Sequence, residues 1–236
     1  MRLDKLIETE LKTSRKQMKR LFLMGKVRVD GEIVYQENRN VDSQLHEIMI
    51  DGQSYQTNER YYLLNKPQGV VTANQDELPT VFDILSEADK VTELSAVGRL
   101  DRDTEGLLLL TSNGQLGYDL LQPQKKVAKT YEVVVNEAVT LADVELFAQG
   151  ITFHGGVTCQ PAELEILSSN MQESHVRLTI HEGKFHQVKK MFLATGKKVI
   201  GLKRVQMGPL VLGDLPVGMY RELTLEELRQ LKPYFR

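Results

Sequence analysis

The stretch GRLDRDTEGLLLLTSNG, Gly98 to Gly114, sets four consecutive leucines directly behind a loop that carries three acids and two arginines. A short apolar run bounded by Gly106 and by the turn pair Asn113-Gly114 reads as a buried strand. Ahead of it Asp101, Asp103 and Glu105 alternate, with Arg99 and Arg102 among them. A polar turn entering a core strand explains the leucines. It does not explain the Arg-Leu-Asp corner with Arg102 attached, which is costly unless those charges meet partners.

Outward from this strand the pattern is mixed. YYLLNK and VVTAN read as strands around the Pro67-Gln68-Gly69 turn, and TVFDILSEAD reads as a helix. QLGYDLLQ is a helix, KTYEVVVNE a strand, LADVELFAQG a helix ending in glycine, and SHVRLTIHEG an alternating strand. KFHQVKKMFLATG is a basic amphipathic helix, and LTLEELRQLKPYF opens with Thr224 and Glu227 in capping-box spacing. Strands and helices do not alternate strictly, so the class expected is α+β with a mixed, mainly antiparallel sheet.

The first 56 residues form a separate pattern. Leu3, Leu6 and Ile7 share one face of a short helix, and a second helix runs from about Arg15 to Met24 behind a Ser14–Gln17 capping box. Gly25 is placed to end it. Asp30-Gly31 and Asp51-Gly52 each supply the positive φ angles of a two-residue hairpin turn. The expected organisation is a small module over 1–56, a polar linker over 57–60, and a larger domain over 61–236.

Composition bounds the function. At 41% hydrophobic and 26% charged residues the 236-residue chain is of ordinary globular type. No apolar run approaches the roughly 20 residues of a membrane span, and MRLDKLIETE lacks a signal-peptide core, so a cytoplasmic protein without a membrane partner is expected. The lone Cys159, in the strand-like GVTCQPAELEIL, is read as a packed thiol. Five histidines show no ligand spacing, so no metal is expected. His186 is read as a structural hydrogen-bonder and Lys66 as facing the cleft rim or open solvent.

The net charge of −2 hides two clusters. Residues 11–29 hold seven basic residues and no acid, among them Arg15, Lys16, Lys19 and Arg20. Residues 181–204 hold seven against the single acid Glu182, among them Lys189 and Lys190. One such cluster is commonly a solvated helix face; two point to a nucleic acid.

Other chemistries fit less well. DRDTE carries the D-x-D that opens the D-x-D-x-T of haloacid-dehalogenase-like phosphotransfer enzymes, but that pattern follows an apolar strand and this one precedes it. A glycosidase-type pair of Asp101 with Asp103 lacks any tryptophan for sugar stacking.

Four pieces in order, LLNKPQGVV, GRLDRDTEGLLLLTSNG, KTY and EGKFHQVKKM, resemble pseudouridine synthases of the RsuA/RluA type over about Tyr61 to the C-terminus. RLDKLI with SRKQMKRLFLMGKVRVDGEIV resembles the S4 RNA-binding domain, which together with the four motifs is similar to the RsuA branch. The resemblance implies isomerisation of a uridine to pseudouridine, with no cofactor because no redox change occurs. Its substrate would be 16S ribosomal RNA, the family's usual target being uridine 516. It implies Asp101 as catalytic carboxylate, acting as nucleophile or as base on the sugar. Lys189 would be its ion partner, holding it ionised. Tyr131 would stack on the uracil, and Arg99 would fill the gap left by an extruded base. Arg15, Lys16, Lys19, Arg20, Lys66 and Lys190 would contact RNA. Asp103 and Glu105 would brace the loop through Thr104 or backbone amides. The large-subunit 23S RNA and a non-catalytic ribosome-assembly factor are the alternatives. The protein is expected to be a monomer acting on free RNA or on an assembling small-subunit particle.

Overall fold

A computed structural model describes residues 1–153 and 155–235; His154, one of the five histidines, lies outside the described residues. The chain opens with α1 (Leu3–Leu11) and α2 (Arg15–Leu23). Leu3, Leu6 and Ile7 are buried on one face of α1, as their spacing requires. The Ser14 hydroxyl accepts from the Gln17 amide, and the Gln17 side chain accepts from the Ser14 amide at 2.9 Å. β1 (Val27–Val29) and β2 (Glu32–Ile33) form one hairpin, β3 (Ile48–Ile50) and β4 (Gln53–Ser54) another. Their turns hold Asp30 and Gly31 at φ of 53° and 80°, and Asp51 and Gly52 at 49° and 84°. The order β2-β1-β3-β4 makes a small sheet, and the helices close over it on Met18, Phe22, Val29 and Ile48.

The rest of the chain builds a second, larger sheet. Its elements are β5 (Tyr61–Lys66), β6 (Ser95–Ala96), β7 (Glu105–Thr111), α3 (Gly114–Leu121), β8 (Lys129–Val135), α4 (Leu141–Gln149), β9 (Glu163–Ser169) and β10 (Ser174–Ile180). Then come α5 (Gln187–Ala194), β11 (Val199–Met207), β12 (Leu210–Val211), β13 (Tyr220–Glu222) and α6 (Leu225–Gln230). The strand order is β13-β5-β7-β11-β8-β10-β9, with β12 beside β11 and β6 beside β7. Every pairing is antiparallel except β7 with β11.

The leucine run lies at the centre of this sheet. Leu108 and Leu110 point with Tyr62 and Leu64 into one core, shared with Phe147 and Phe192. Leu107 and Leu109 point with Tyr61 and Leu63 into another, shared with Leu116 and Leu228. A strand covered on both faces needs apolar residues at every position rather than at alternate ones.

The two sheets meet at a polar seam. The Tyr61 hydroxyl donates to Asp42 Oδ2 at 2.6 Å and accepts from Asn113 Nδ2 at 3.1 Å. Burial, then the Asp42 charge, pushes the Tyr61 pKa up and keeps its proton in place. Asn113 also caps α3 through Leu116, and Leu45 of the module packs on the larger domain's core. The connecting residues 57–60 are held at both ends: Thr57 bonds Ser43, and the Arg60 amide donates to Ser112 Oγ at 2.9 Å.

Several local expectations differ. VVTAN is not a strand; Val71 makes one parallel bridge with Thr80, and Thr72 spends its hydroxyl on Leu100 instead. TVFDILSEAD is a chain of single turns. Asp83 caps Thr80 as a helix start would, but Asp89 is drawn away by the hydroxyls of Tyr62, Tyr220 and Ser86. Cys159 is buried in no strand, and burial pushes its thiol pKa up to about 11. The basic helix begins at Gln187 rather than Lys184, because His186 takes the left-handed conformation at φ 53°.

Gly106 is the point of closest approach between β7 and β11. At φ 106°, a Cβ there would overlap the Arg204 carbonyl oxygen and lie 2.7 Å from its nitrogen. Gly106→Ala is expected to cost at least about 3 kcal/mol, read as a fall in Tm of about 6–12 °C. A melting curve like that of the unaltered protein would refute this reading of the strand contact.

Candidate active site

The loop ahead of β7 is held by its backbone. Lys66, at the end of β5, is fully buried, and its ammonium donates to the carbonyls of Thr104 at 2.9 Å, Asp101 at 3.0 Å, Pro67 at 3.0 Å and Arg102 at 3.4 Å. The PQG turn adds a reciprocal clasp: the Gly69 amide donates to the Arg102 carbonyl at 2.8 Å, and Arg102 Nε donates to the Gly69 carbonyl at 3.2 Å. Thr72 Oγ1 donates to the Leu100 carbonyl and accepts from its amide. Of the corner's charges, that of Arg102 is placed here. Lys66 therefore faces neither the cleft rim nor solvent, and the expectation that it contacts RNA is corrected. Its partners on the loop lie 35 or more residues away in sequence, beyond any local pattern.

With its carbonyl tied below, Asp101 turns its carboxylate into a cleft of about 710 Å³. Lys189, from α5, reaches it across the cleft, with Nζ 2.9 Å from Asp101 Oδ2 and 2.6 Å from Asp103 Oδ1. The expected Asp101–Lys189 ion contact is present, with Asp103 as a third member. Burial pulls the Lys189 pKa down, but hydrogen bonds and charge from Asp103 and Asp101 outweigh it, and the net shift is upward. The Lys189 hydrogen bond holds Asp103 below the usual carboxylate range. Thr104 Oγ1 is buried without a hydrogen-bond partner among the described residues, so the expected bracing through that hydroxyl is absent.

The other expected groups converge on the same cleft. Tyr131 projects from β8 with 7% exposure, and the exposed Arg99 lies at the mouth. His186 places Nε2 3.4 Å from Asp101 Oδ1 and stacks on Phe185. Lys129, not singled out from the sequence although it opens the KTY motif, also lines the cleft. Burial, then the Arg204 charge, lowers its pKa to about 8.

The two basic clusters have different fates. Inside the module, ion pairs join Arg2 to Asp4, Lys5 to Glu8 and Lys26 to Asp51. Arg15, Lys16, Lys19 and Arg20 stand exposed on α2, outside these pairs. The second cluster is largely consumed internally. Arg204 is buried with Nε on the Leu107 carbonyl, Lys197 pairs with Asp143 at 2.6 Å, Lys184 pairs with Glu182, and Lys189 holds the acids. Lys190 lies over the rings of Phe185 and Phe153. Among the described residues no helix is long and apolar enough to cross a membrane.

A strand-anchored acidic loop, a lysine bridging two of its carboxylates, and a cleft tyrosine define an enzyme site. Residues 60–194 match the model of the RNA pseudouridylate synthase family, and the chain belongs to that family of isomerases. It is 42% identical to the uncharacterized RNA pseudouridine synthase YtzG of Bacillus subtilis, over 98% of both chains. It is 41% identical to ribosomal small subunit pseudouridine synthase A of Escherichia coli K12, over 97% of this chain and 98% of the relative. A crystal structure of a pseudouridylate synthase superposes with a TM-score of 0.69 at 37% identity, covering 98% of this chain and 99% of that one.

Lys66→Met would strand the carbonyls beneath the loop. The expected result is a fall in kcat on the order of 100-fold with little change in KM, since the loop would lose its register. Burial lowers the Lys66 pKa from the ordinary 10.5 to about 8. The folded state therefore binds fewer protons than the unfolded state between these values. The unfolding free energy of the unaltered protein, relative to Lys66→Met, should rise as pH increases from about 8 to 10.5. A flat difference in denaturant titrations across that window would contradict the assignment.

Proposed function

We propose that this protein converts a uridine of 16S ribosomal RNA to pseudouridine, with uridine 516 as the target. The observation that carries the reading is the Asp101–Lys189 contact at 2.9 Å inside the cleft. The named activity of the small-subunit relatives supports the choice of RNA.

The chemistry follows from the residues. The bond between C1′ and N1 of the nucleotide breaks, the base turns, and a bond forms between C1′ and C5. N1 gains a proton and C5 loses one, so the formula is unchanged and no redox partner is required. The reacting atoms are inaccessible inside a stacked helix, so the uridine is extruded into the cleft. Asp101 supplies the carboxylate at the sugar. Lys189 pairs with it at 2.9 Å and holds it in place, and Asp103 fixes the lysine from the other side. Tyr131 lies under the base, and Arg99 at the mouth takes the space that the base leaves.

The exposed Arg15, Lys16, Lys19 and Arg20 of the S4-like module dock the RNA, with Lys190 closer to the cleft. Residues 1–56 act as the docking domain and 61–236 as the catalytic domain, joined through 57–60. The substrate is the RNA itself or an assembling small-subunit particle, and the enzyme works as a monomer in the cytoplasm.

Tritium release from uridine labelled at C5 tests this directly, because forming the new bond expels that hydrogen. Release from 16S transcripts alone, absent with Asp101→Asn, is expected. Release from 23S instead would keep the chemistry and overturn the substrate. Silence on both transcripts and on assembling particles would leave only an RNA-binding factor. Replacing Arg15, Lys16, Lys19 and Arg20 together with glutamine should reduce the steepness of log K against log salt. The expected reduction is about 0.7–0.9 for each phosphate that these side chains neutralise. An unchanged slope would remove α2 from the interface.

A further inference from the structure

Phe185 is a feature of the cleft that the chemistry above leaves unused. The residue is 73% exposed. Isolated apolar side chains at a surface need no explanation, but this one lines the cleft. It is also held in a defined place. It stacks on His186 with ring centroids 3.8 Å apart and planes 21° apart, and His186 is the residue whose Nε2 lies 3.4 Å from Asp101. The supporting turn is tied down on both sides: the Lys184 amide donates to Gln187 Oε1 at 2.9 Å, and Gln187 Nε2 donates to Glu182 Oε1 at 2.9 Å. Lys190 stands with its ammonium 4.9 Å from the Phe185 ring centre.

An exposed aromatic ring, fixed in orientation and flanked by a cation, has the chemistry of a stacking platform for a single-stranded nucleobase. Its position selects which base. The extruded uridine occupies the cleft beside Asp101, and Phe185 lies one side chain further out, beyond His186. We propose that the Phe185–His186 stack seats the unpaired nucleobase next in the chain to the target uridine. Lys190 moves off the ring to the phosphate between the two nucleotides. The inference rests on the RNA substrate proposed above. It adds a site that orders the neighbour, so that the extruded strand enters the cleft in one direction. Because stacking accepts every base, the platform sets the direction and depth of entry rather than sequence.

The test uses two short single-stranded RNAs, each with a central uridine and 2-aminopurine either 5′ or 3′ of it. Quenching of 2-aminopurine fluorescence by the intact protein is expected for one probe and not the other. Phe185→Leu, which keeps apolar bulk, should abolish that quench and weaken binding about tenfold. Phe185→Tyr should restore both. On 16S transcript, Phe185→Leu should raise the KM for tritium release about tenfold while kcat changes less than about threefold. Equal quenching of both probes, no quenching, or a Phe185→Leu protein that quenches and turns over normally would overturn the platform. Tritium release without a Phe185-dependent quench would leave the isomerase standing and remove this inference. A Phe185-dependent quench without release from any RNA would overturn the isomerase reading, and with it the assignment to a target's neighbour, leaving only a base-stacking surface.

Discussion

The ammonium of Lys66 is the interaction on which the site depends. Removing an amine cation from water costs several kcal/mol unless its protons are met, and here four carbonyl oxygens meet it at 2.9 to 3.4 Å. Three of those oxygens belong to Asp101, Arg102 and Thr104. Fixing the Asp101 carbonyl on the buried side leaves its side chain to the cleft. Two lysines thus divide one residue between them. Lys66 takes the main chain from below, and Lys189 takes the carboxylate from across the cleft. A compact ammonium suits the first task, since its donors can be shared among several oxygens with no fixed plane.

Three charges of the opening stretch then have partners. Asp101 and Asp103 share Lys189, and Arg102 returns to the PQG turn. The leucines behind them anchor the loop in two cores at once, because β7 is buried on both faces. Gly106 completes the arrangement by letting β11 run close beside the strand, which carries Arg204 to the Leu107 carbonyl. Geometry of this kind is held by a rigid element rather than by the loop itself.

Much of this is legible in the residues alone. The hairpin turns, both capping boxes and the buried leucine strand rest on rules that act within a few residues, and they appear where those rules place them. The acids and their lysine are legible through the order of four motifs, not through any one. Lys66 is not, because a lysine at the end of a strand has no local sign of burial; what buries it is a set of carbonyls brought from elsewhere by the sheet. TVFDILSEAD fails as a helix for the same reason, since Asp89 is claimed by Tyr62 and Tyr220, 27 and 131 residues away. The second basic cluster looks like free surface when charge is counted along the chain, whereas Arg204 and Lys197 are spent inside and Lys184 is paired with Glu182.

β5 links the two halves of the molecule in a literal sense. Its first residue, Tyr61, holds Asp42 of the module, and its last, Lys66, holds the loop of Asp101. Six residues of strand span roughly 17 Å, and this strand is buried along its whole length. The module and the carboxylate are therefore mounted on a single stiff bar. On the docking proposed for α2, the nucleotide modified would be gauged against that bar, by distance from the grip as well as by the shape of the cleft.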